Sequence, residues 1–240
     1  MTTLLFREDA YRTSCPATVL AVNDLGGIVL DQTVFYATAG GQPGDKGVIH
    51  AGNRAITIAT TVYDAEKNIV HVPAPGQTLP AVGEAVTAEI DWVFRHGVMR
   101  RHTMMHLLCA CVPFPVTGSA IGDAVGRIDF DIPEGQIPDR VELADKINSL
   151  IRENHPVTIS SMTEDELDAR PELVRTMFVK PPRGAGVVRL VLIGEGGKVD
   201  LQPCGGTHVK STGEIGEITV EKIENKGKIN RRIRLALVRP

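Results

Sequence analysis

Two short stretches carry side chains suited to holding a metal ion. In RRHTMMHLL, residues 100–108, His102 and His106 stand four apart, and on a helix that spacing stacks both imidazoles on one face, one turn apart. In LQPCGGTHVKSTGEIG, residues 201–216, Cys204 and His208 repeat the spacing, but Gly205 and Gly206 make this stretch a poor helix and a good tight loop. Taken singly, a histidine pair on a helix is a weak sign, and a lone cysteine is more often a small buried hydrophobe. Two pairs with one spacing, one on a helix and one on a loop after a strand, predict a shared site. Its donor set of His, His, Cys and His is typical of zinc. Four protein donors make the closed arrangement of a structural zinc, whereas a catalytic zinc usually keeps a position for water or substrate, so the spacing leaves both roles open.

A third stretch, FYATAGGQPGDKG, residues 35–47, leads from aromatic strand residues into a turn with Gly40, Gly41, Pro43 and Gly44. It lacks the strand-to-helix context and the lysine followed by serine or threonine of a P-loop, which argues against a nucleotide-phosphate cradle. What it offers is backbone N–H groups beside Thr38 and Gln42, candidate readers of a small polar ligand. Further along, seven basic residues (Lys222, Lys226, Lys228, Arg231, Arg232, Arg234 and Arg239) accompany a single acid, Glu224. Alone, such a stretch reads as a solvated hairpin face before it reads as a phosphate-binding patch.

These residues need elements to hold them. Residues 15–91 alternate short β-rich runs (CPATVLAV, GIVLDQTVFY, KGVIH, AITIATTVY, NIVHVP, AVTAEI) with turns, which predicts a small antiparallel barrel. At Trp92 the period changes, and WVFRHGVMRRHTMMHLLCACV reads as a helix with Val98, Met105, Leu108 and Val112 on its apolar side. The fold class expected is therefore α+β, with a barrel domain over 1–94 and a mixed domain over 95–240. In the second half, DRVELADKINSLIREN is an amphipathic helix with Val141, Leu143, Ile147, Leu150 and Ile151 inward. Thr163 and Glu166 form a capping-box pattern for a short helix, VVRLVLIG and VDLQPC are strands, and the C-terminal stretch is a hairpin turning near NKGK. Cys109 and Cys111 are expected in the core, and residues 107–122 read as a buried helix end and loop.

Composition bounds the rest. A chain of 240 residues with 42% hydrophobic content buries a sizeable core. Four scattered cysteines argue against a disulfide framework and for a reduced, intracellular setting. Arg7, Glu8 and Asp9 interrupt the N-terminus before a signal peptide can form, and Pro113 and Pro115 break the one long uncharged run, so no membrane span is expected. The net charge of −3 excludes a surface coated in positive charge.

FYATAGGQPGDKG, MRRHTMMHLL and QPCGGTHVKSTGEIG, in that order, resemble the editing domain of alanyl-tRNA synthetase and its free-standing relatives, the AlaX proteins. The resemblance spans roughly residues 5–238 and, with no aminoacylation portion, is to the medium-length free-standing type. It implies trans-editing in the cytoplasm: ATP-independent hydrolysis of tRNA(Ala) mischarged with serine or glycine, with Zn2+ held by His102, His106, Cys204 and His208. Thr38 and Gln42 become candidate catalytic residues. Gly40, Gly41, Arg100, Arg101, Lys228, Arg231 and Arg232 become candidate contacts to the tRNA(Ala) acceptor end, with no nucleotide cofactor. Ala37 and Ala39 depart from the proline and glycine common in relatives. Three alternatives stand beside this reading: serine editing on tRNA(Thr), a non-catalytic RNA-binding module tied together by zinc, and a zinc hydrolase of small aminoacyl esters or amides.

Overall fold

Alternating burial closes the N-terminal strands into a barrel. The computed structural model describes residues 2–177 and 186–238, so Arg239 lies outside the described residues. The chain divides into two compact units, Met1–Val98 and Met99–Pro240. The first carries β1 (Thr3–Leu4), β2 (Ser14–Val22), β3 (Ile28–Leu30), β4 (Gln32–Thr33), β5 (Gly47–Ala51), β6 (Arg54–Tyr63), β7 (Ile69–Pro73) and β8 (Ala85–Ile90). Six of these close as a barrel in the order β2-β3-β7-β6-β5-β8, with every pairing antiparallel, while β1 and β4 form a short parallel pair. In β8 the period-2 pattern is complete: Val86, Ala88 and Ile90 point in, and Ala85, Thr87 and Glu89 point out. With Val19, Ile28, Leu30, Phe35, Ile49, Ile56 and Ile58 they fill the barrel, each large aliphatic contributing about 1.5–3 kcal/mol of burial.

The predicted run GIVLDQTVFY breaks after three residues of β3, because the chain must turn into the glycine loop. That loop is held from below by a buried ion pair. Asp45 accepts from the Tyr36 N–H at 2.6 Å and from Arg95 Nε at 2.9 and 3.0 Å, and Arg95 also donates to the carbonyls of Ala10 and Val34. Arg95 is fully buried, so every donor it directs at the loop base is fixed by a partner rather than by water.

The helix α1 (Trp92–Cys111) follows β8; Asp91 caps its start by accepting from the Phe94 N–H at 3.0 Å. The second unit then adds β9 (Val116–Ile121), β10 (Val125–Asp131), α2 (Arg140–Arg152), β11 (Val157–Thr163), α3 (Glu164–Asp168), β12 (Val187–Ile193), β13 (Asp200–Pro203), β14 (Ile218–Asn225) and β15 (Asn230–Leu237). They form two antiparallel sheets, β14-β15-β10-β9 and β11-β12-β13. Asp139 caps α2 by accepting from the N–H groups of Val141 and Glu142, and Leu143, Ile147 and Ile151 are buried. Asn148 docks that helix on β14 through a reciprocal pair, donating to Ile218 O and accepting from Ile218 N, both at 3.0 Å. Thr163 and Glu166 make the predicted capping box. Among the described residues no helix is long and apolar enough to cross a membrane.

The second unit departs from the sequence reading at five places, the first being β10, for which no strand was expected. Residues 116–121, expected as loop, are β9, recruited by pairing with β10. β11 was not expected from the sequence, because five of its seven residues are exposed and it carries little apolar signal. Val141 sits on the outer side of α2, 62% exposed, and Cys111 is only half-buried.

His71 supplies a pH dependence. It is fully buried on β7, its Nδ1–H donates to Ile28 O at 2.9 Å, and its Nε2 accepts from the Thr33 hydroxyl at 2.8 Å, an arrangement only the neutral ring can make. Burial pushes its pKa down from 6.5 to about 4. A base depressed in the folded state contributes stability that is complete above its unfolded pKa and is lost as pH falls toward the folded one. Across that window, from about 6.5 down to about 4, the loss expected is up to about 3 kcal/mol. Urea unfolding of wild type and His71→Gln at pH 7.5, 5.5 and 4.5 checks this. The wild type should lose more stability than the variant, and parallel curves contradict the assignment.

Candidate metal centre

Convergence of the four predicted donors follows from two local rules. On α1, the four-residue spacing brings the rings of His102 and His106 to a centroid separation of 5.5 Å. On β13 and just beyond it, Asp200, Gln202 and Cys204 share one parity, and the two strand residues are buried, so this polar row faces inward. Cys204 then leads directly into the loop that ends at His208. The donor atoms of His102, His106, Cys204 and His208 all lie within 4.8 Å of one another.

Tetrahedral coordination sets a test for this geometry. A tetrahedral metal with bonds of about 2.0–2.3 Å spaces its ligand atoms about 3.3–3.8 Å apart. Cys204 Sγ lies 3.6 Å from His102 Nε2 and 3.4 Å from His208 Nε2, inside that range. The surroundings prepare each donor. His106 Nδ1 donates to Asp200 Oδ2 at 2.7 Å, leaving Nε2 for the centre, and Gln202 Nε2 holds the same carboxylate at 2.8 and 3.0 Å. His208 Nδ1 donates to the Thr103 hydroxyl at 3.1 Å, which also accepts from the Val209 N–H at 3.3 Å and donates to Met99 O at 3.0 Å. Thr103 thus joins the helix to the loop from between the two helical histidines. Arg189 of β12 braces the loop's other end, its Nη1 donating to Cys204 O at 2.7 Å and Gly206 O at 3.0 Å.

Protons are shared unevenly within the metal-free cluster. Burial works against charge on Cys204, yet His102 and His208 draw its thiol well below the usual range. Burial, then the neighbouring His102, presses His208 down to about 3. For His106, burial disfavours the imidazolium, but the hydrogen bonds to Asp200 and Cys204 lift it to about 10. Without a metal, His106 therefore keeps a proton beside the thiol, and a bound ion would displace that proton and supply the positive charge in its place.

The remaining candidate residues sit as follows. Thr38 and Gln42 belong to the glycine loop of the first unit. Ala39 and Gln42 pair through both backbone hydrogen bonds, at 3.2 and 2.9 Å, and Gly40 and Gly41 between them take φ of 56° and 83°, the left-handed pair that a type I′ turn demands. The Thr38 hydroxyl accepts from the Gly44 N–H at 2.9 Å and donates to Thr61 O at 3.2 Å, while Gln42 is fully buried. Gly44 admits no side chain, because a Cβ there falls 1.9 Å from Thr61 O. Arg100 spends Nε and Nη2 on Ile215 O at 2.9 and 2.6 Å, and Arg101 is buried beside His102. Arg231 is also buried and donates to the carbonyls of Gly227, Lys228 and Asn230, whereas Arg232 pairs with Asp129 and Lys228 is exposed on the hairpin turn. Sequence reasoning passed over Asp200, Thr103 and Arg189. The alternation of Asp200, Gln202 and Cys204 was the available signal for the first of these.

Known proteins resemble the chain along its whole length. The family of threonyl and alanyl tRNA synthetase second additional domains matches residues 188–234, and class II (A) tRNA synthetases match residues 11–94. An alanine–tRNA ligase of Pyrobaculum arsenaticum is 38% identical over 92% of this chain, which spans only 25% of that relative. The alanyl-tRNA editing protein AlaX-L of Pyrococcus horikoshii is 34% identical over 93% of this chain and 55% of its own length. The alanyl-tRNA editing protein AlaX-M of Methanosarcina acetivorans is 34% identical over 99% of this chain and 100% of its own. The chain belongs to the AlaX family of alanyl-tRNA editing proteins.

Asp200→Asn tests how the centre is prepared. An amide in that place no longer fixes the His106 tautomer with a full charge, so metal affinity should fall about 10–100-fold in competition with a chromophoric chelator, with the circular dichroism spectrum retained. Unaltered affinity contradicts the role given to Asp200.

Proposed function

We infer that this chain is an aminoacyl-tRNA hydrolase that releases serine from mischarged tRNA(Ala) in trans, with Gly-tRNA(Ala) as a second substrate. The observation that carries the reading is the four-donor centre, prepared by Asp200 and Thr103, in a chain that belongs to the AlaX family along nearly its full length. Zinc is the metal proposed, because three imidazoles and one thiolate in a tetrahedral arrangement suit it best. The chemistry such an ion supplies when bound is polarisation of a carbonyl and stabilisation of the negative charge that develops on its oxygen.

The chain's own residues perform the rest. An aminoacyl ester is already activated, so its hydrolysis calls for a positioned water and a stabilised oxyanion and for no nucleotide. His102, His106, Cys204 and His208 serve as ligands, and none is assigned as a general base, since a base and a metal compete for one lone pair. Thr38 and Gln42 are proposed to orient the amino acid. The Thr38 hydroxyl already accepts one bond and donates another, which leaves a lone pair to receive the hydroxyl of serine. A site that rewards a hydroxyl spares alanine, and sparing alanine prevents futile hydrolysis of the correct product. The tRNA(Ala) acceptor end is the partner proposed, and the cytoplasm the compartment.

A second reading has an observation of its own: four protein ligands are the closed set of a structural zinc, as in a tRNA-binding module without activity. Release of labelled serine from Ser-tRNA(Ala) by wild type and Cys204→Ala separates the two, with Ala-tRNA(Ala) and Ser-tRNA(Thr) as controls and circular dichroism for folding. Wild type should prefer the seryl over the alanyl ester by at least about a hundredfold, and a folded Cys204→Ala should lose the activity. Binding without release by zinc-loaded wild type would leave the module, and faster release from Ser-tRNA(Thr) would move the substrate to that tRNA.

A further inference from the structure

Basic residues in the second unit form an ordered array on one face of a sheet. Register across β10, β15 and β14 sets Arg127 opposite Arg234 and Arg234 opposite Lys222; the next row on the same face is Asp129, Arg232 and Glu224. The irregularity between Val220 and Lys222 is what turns Lys222 and Glu224 outward, since Ile218 and Val220 before it are buried. Ile128, Phe130, Ile233 and Leu235 point the other way, into the core, so the charged face is the sheet's outer one.

The two carboxylates lie low in this array. Arg232 grips Asp129 with two hydrogen bonds of 2.7 and 2.8 Å, and Arg127 adds a third of 2.9 Å. Arg234, Lys222 and Lys226 surround Glu224 at 2.7, 3.2 and 3.6 Å. The side chains of Asp129 and Glu224 are only 10% and 15% exposed, whereas Lys222, Lys226, Arg234 and Arg127 are 65%, 39%, 36% and 31% exposed. The acids therefore brace the cations from beneath, and with Asp131 at the end of the same face, opposite Asn230, the array sets five positive side chains against three negative ones. Hydrogen bonds from Arg234 and Lys222 hold the Glu224 carboxyl down to about 2, so the brace stays charged at any physiological pH. On the β9 side the rows end at Ala120 and Gly118, opposite Arg127 and Asp129, which leaves a shelf almost free of side chains beside the cations.

We propose that this outer face of β9, β10, β15 and β14 is the surface on which the sugar–phosphate backbone of tRNA lies, with Arg127, Lys222, Lys226 and Arg234 contacting phosphates. The proposal rests on the editing reading for the identity of its partner and deepens it. Cations at the strand spacing of about 4.8 Å, held in place in advance by carboxylates, offer a polyanion several contacts at little cost in side-chain ordering. Charge distribution points the same way. The chain carries −3 overall, and residues 1–98 hold ten acids against six bases, so this sheet face concentrates positive charge that the rest of the protein lacks. The array also revises which basic residues matter: Arg231 is buried on the opposite side of β15, and Arg127 lies far from the basic C-terminal stretch in sequence.

The test is a triple variant, Arg127→Ser, Lys222→Ser and Lys226→Ser, in which each carboxylate keeps one arginine partner. Binding to tRNA(Ala) is measured over a range of salt concentrations, with circular dichroism and metal content confirming the fold. Affinity should fall more than about tenfold, and the slope of log K against log salt should become shallower by about 2–3. A double variant on the exposed side of α2, Lys146→Ser with Arg152→Ser, should keep the wild-type slope. If the triple variant misfolds, the lysine pair alone gives the same reading with a slope change of about 1.5. Unchanged affinity and slope overturn the proposal, as does lost binding to vesicles of phosphatidylcholine and phosphatidylserine with tRNA binding intact. Wild type that binds tRNA through this face yet releases no serine overturns the editing reading and leaves this one standing.

Discussion

Four donor atoms brought within reach of a single ion constrain the second unit more tightly than any other feature. A thiol and three imidazoles held within 4.8 Å, all largely out of water, cannot each keep an ordinary protonation state. His106 and His208 are driven to opposite extremes, and the thiol is pulled toward its anion. A cation resolves this conflict. Much of the neighbouring structure then becomes intelligible as preparation for it: the helical spacing on α1, the inward polar row of β13, the Thr103 hydroxyl joining helix to loop, and the Arg189 brace on the loop carbonyls.

The same economy of means recurs in the first unit. A buried charged group is costly unless its donors find acceptors, and Arg95 of α1 finds Asp45, Ala10 and Val34. What that anchor stabilises is the base of the glycine loop, where Asp45 also receives the Tyr36 N–H. Above it the chain reverses through Gly40 and Gly41 and then passes so close to Thr61 that only glycine fits at position 44. The loop is thus rigid at its base and free of side chains at its tip. On the outer sheet face of the second unit, carboxylates fix arginines and lysines in the same manner, but there the cations remain in water.

Much of this was legible in the sequence because it rests on local rules. All six barrel strands, α1, α2, the capping box of α3 and the C-terminal hairpin announce themselves through period, caps and turns. The meeting of the two ligand pairs was legible as one spacing used twice. What stayed hidden depends on partners distant in sequence. β9 is a strand because β10 pairs with it, and its own residues, VTGSAI, read as loop. Arg231 and Arg232 look alike in sequence, yet strand alternation buries the first and leaves the second half-buried on the outer face. Thr103 and Asp200 sit in helix and strand without any local mark of a role, and only the approach of His208 and His106 gives them one.

The most direct test of the central claim is X-ray absorption at the zinc edge on the purified, metal-loaded chain. One sulfur at about 2.3 Å and three nitrogens at about 2.0–2.1 Å are predicted for Cys204 with His102, His106 and His208. A first shell without sulfur, or one dominated by oxygen, would contradict the account.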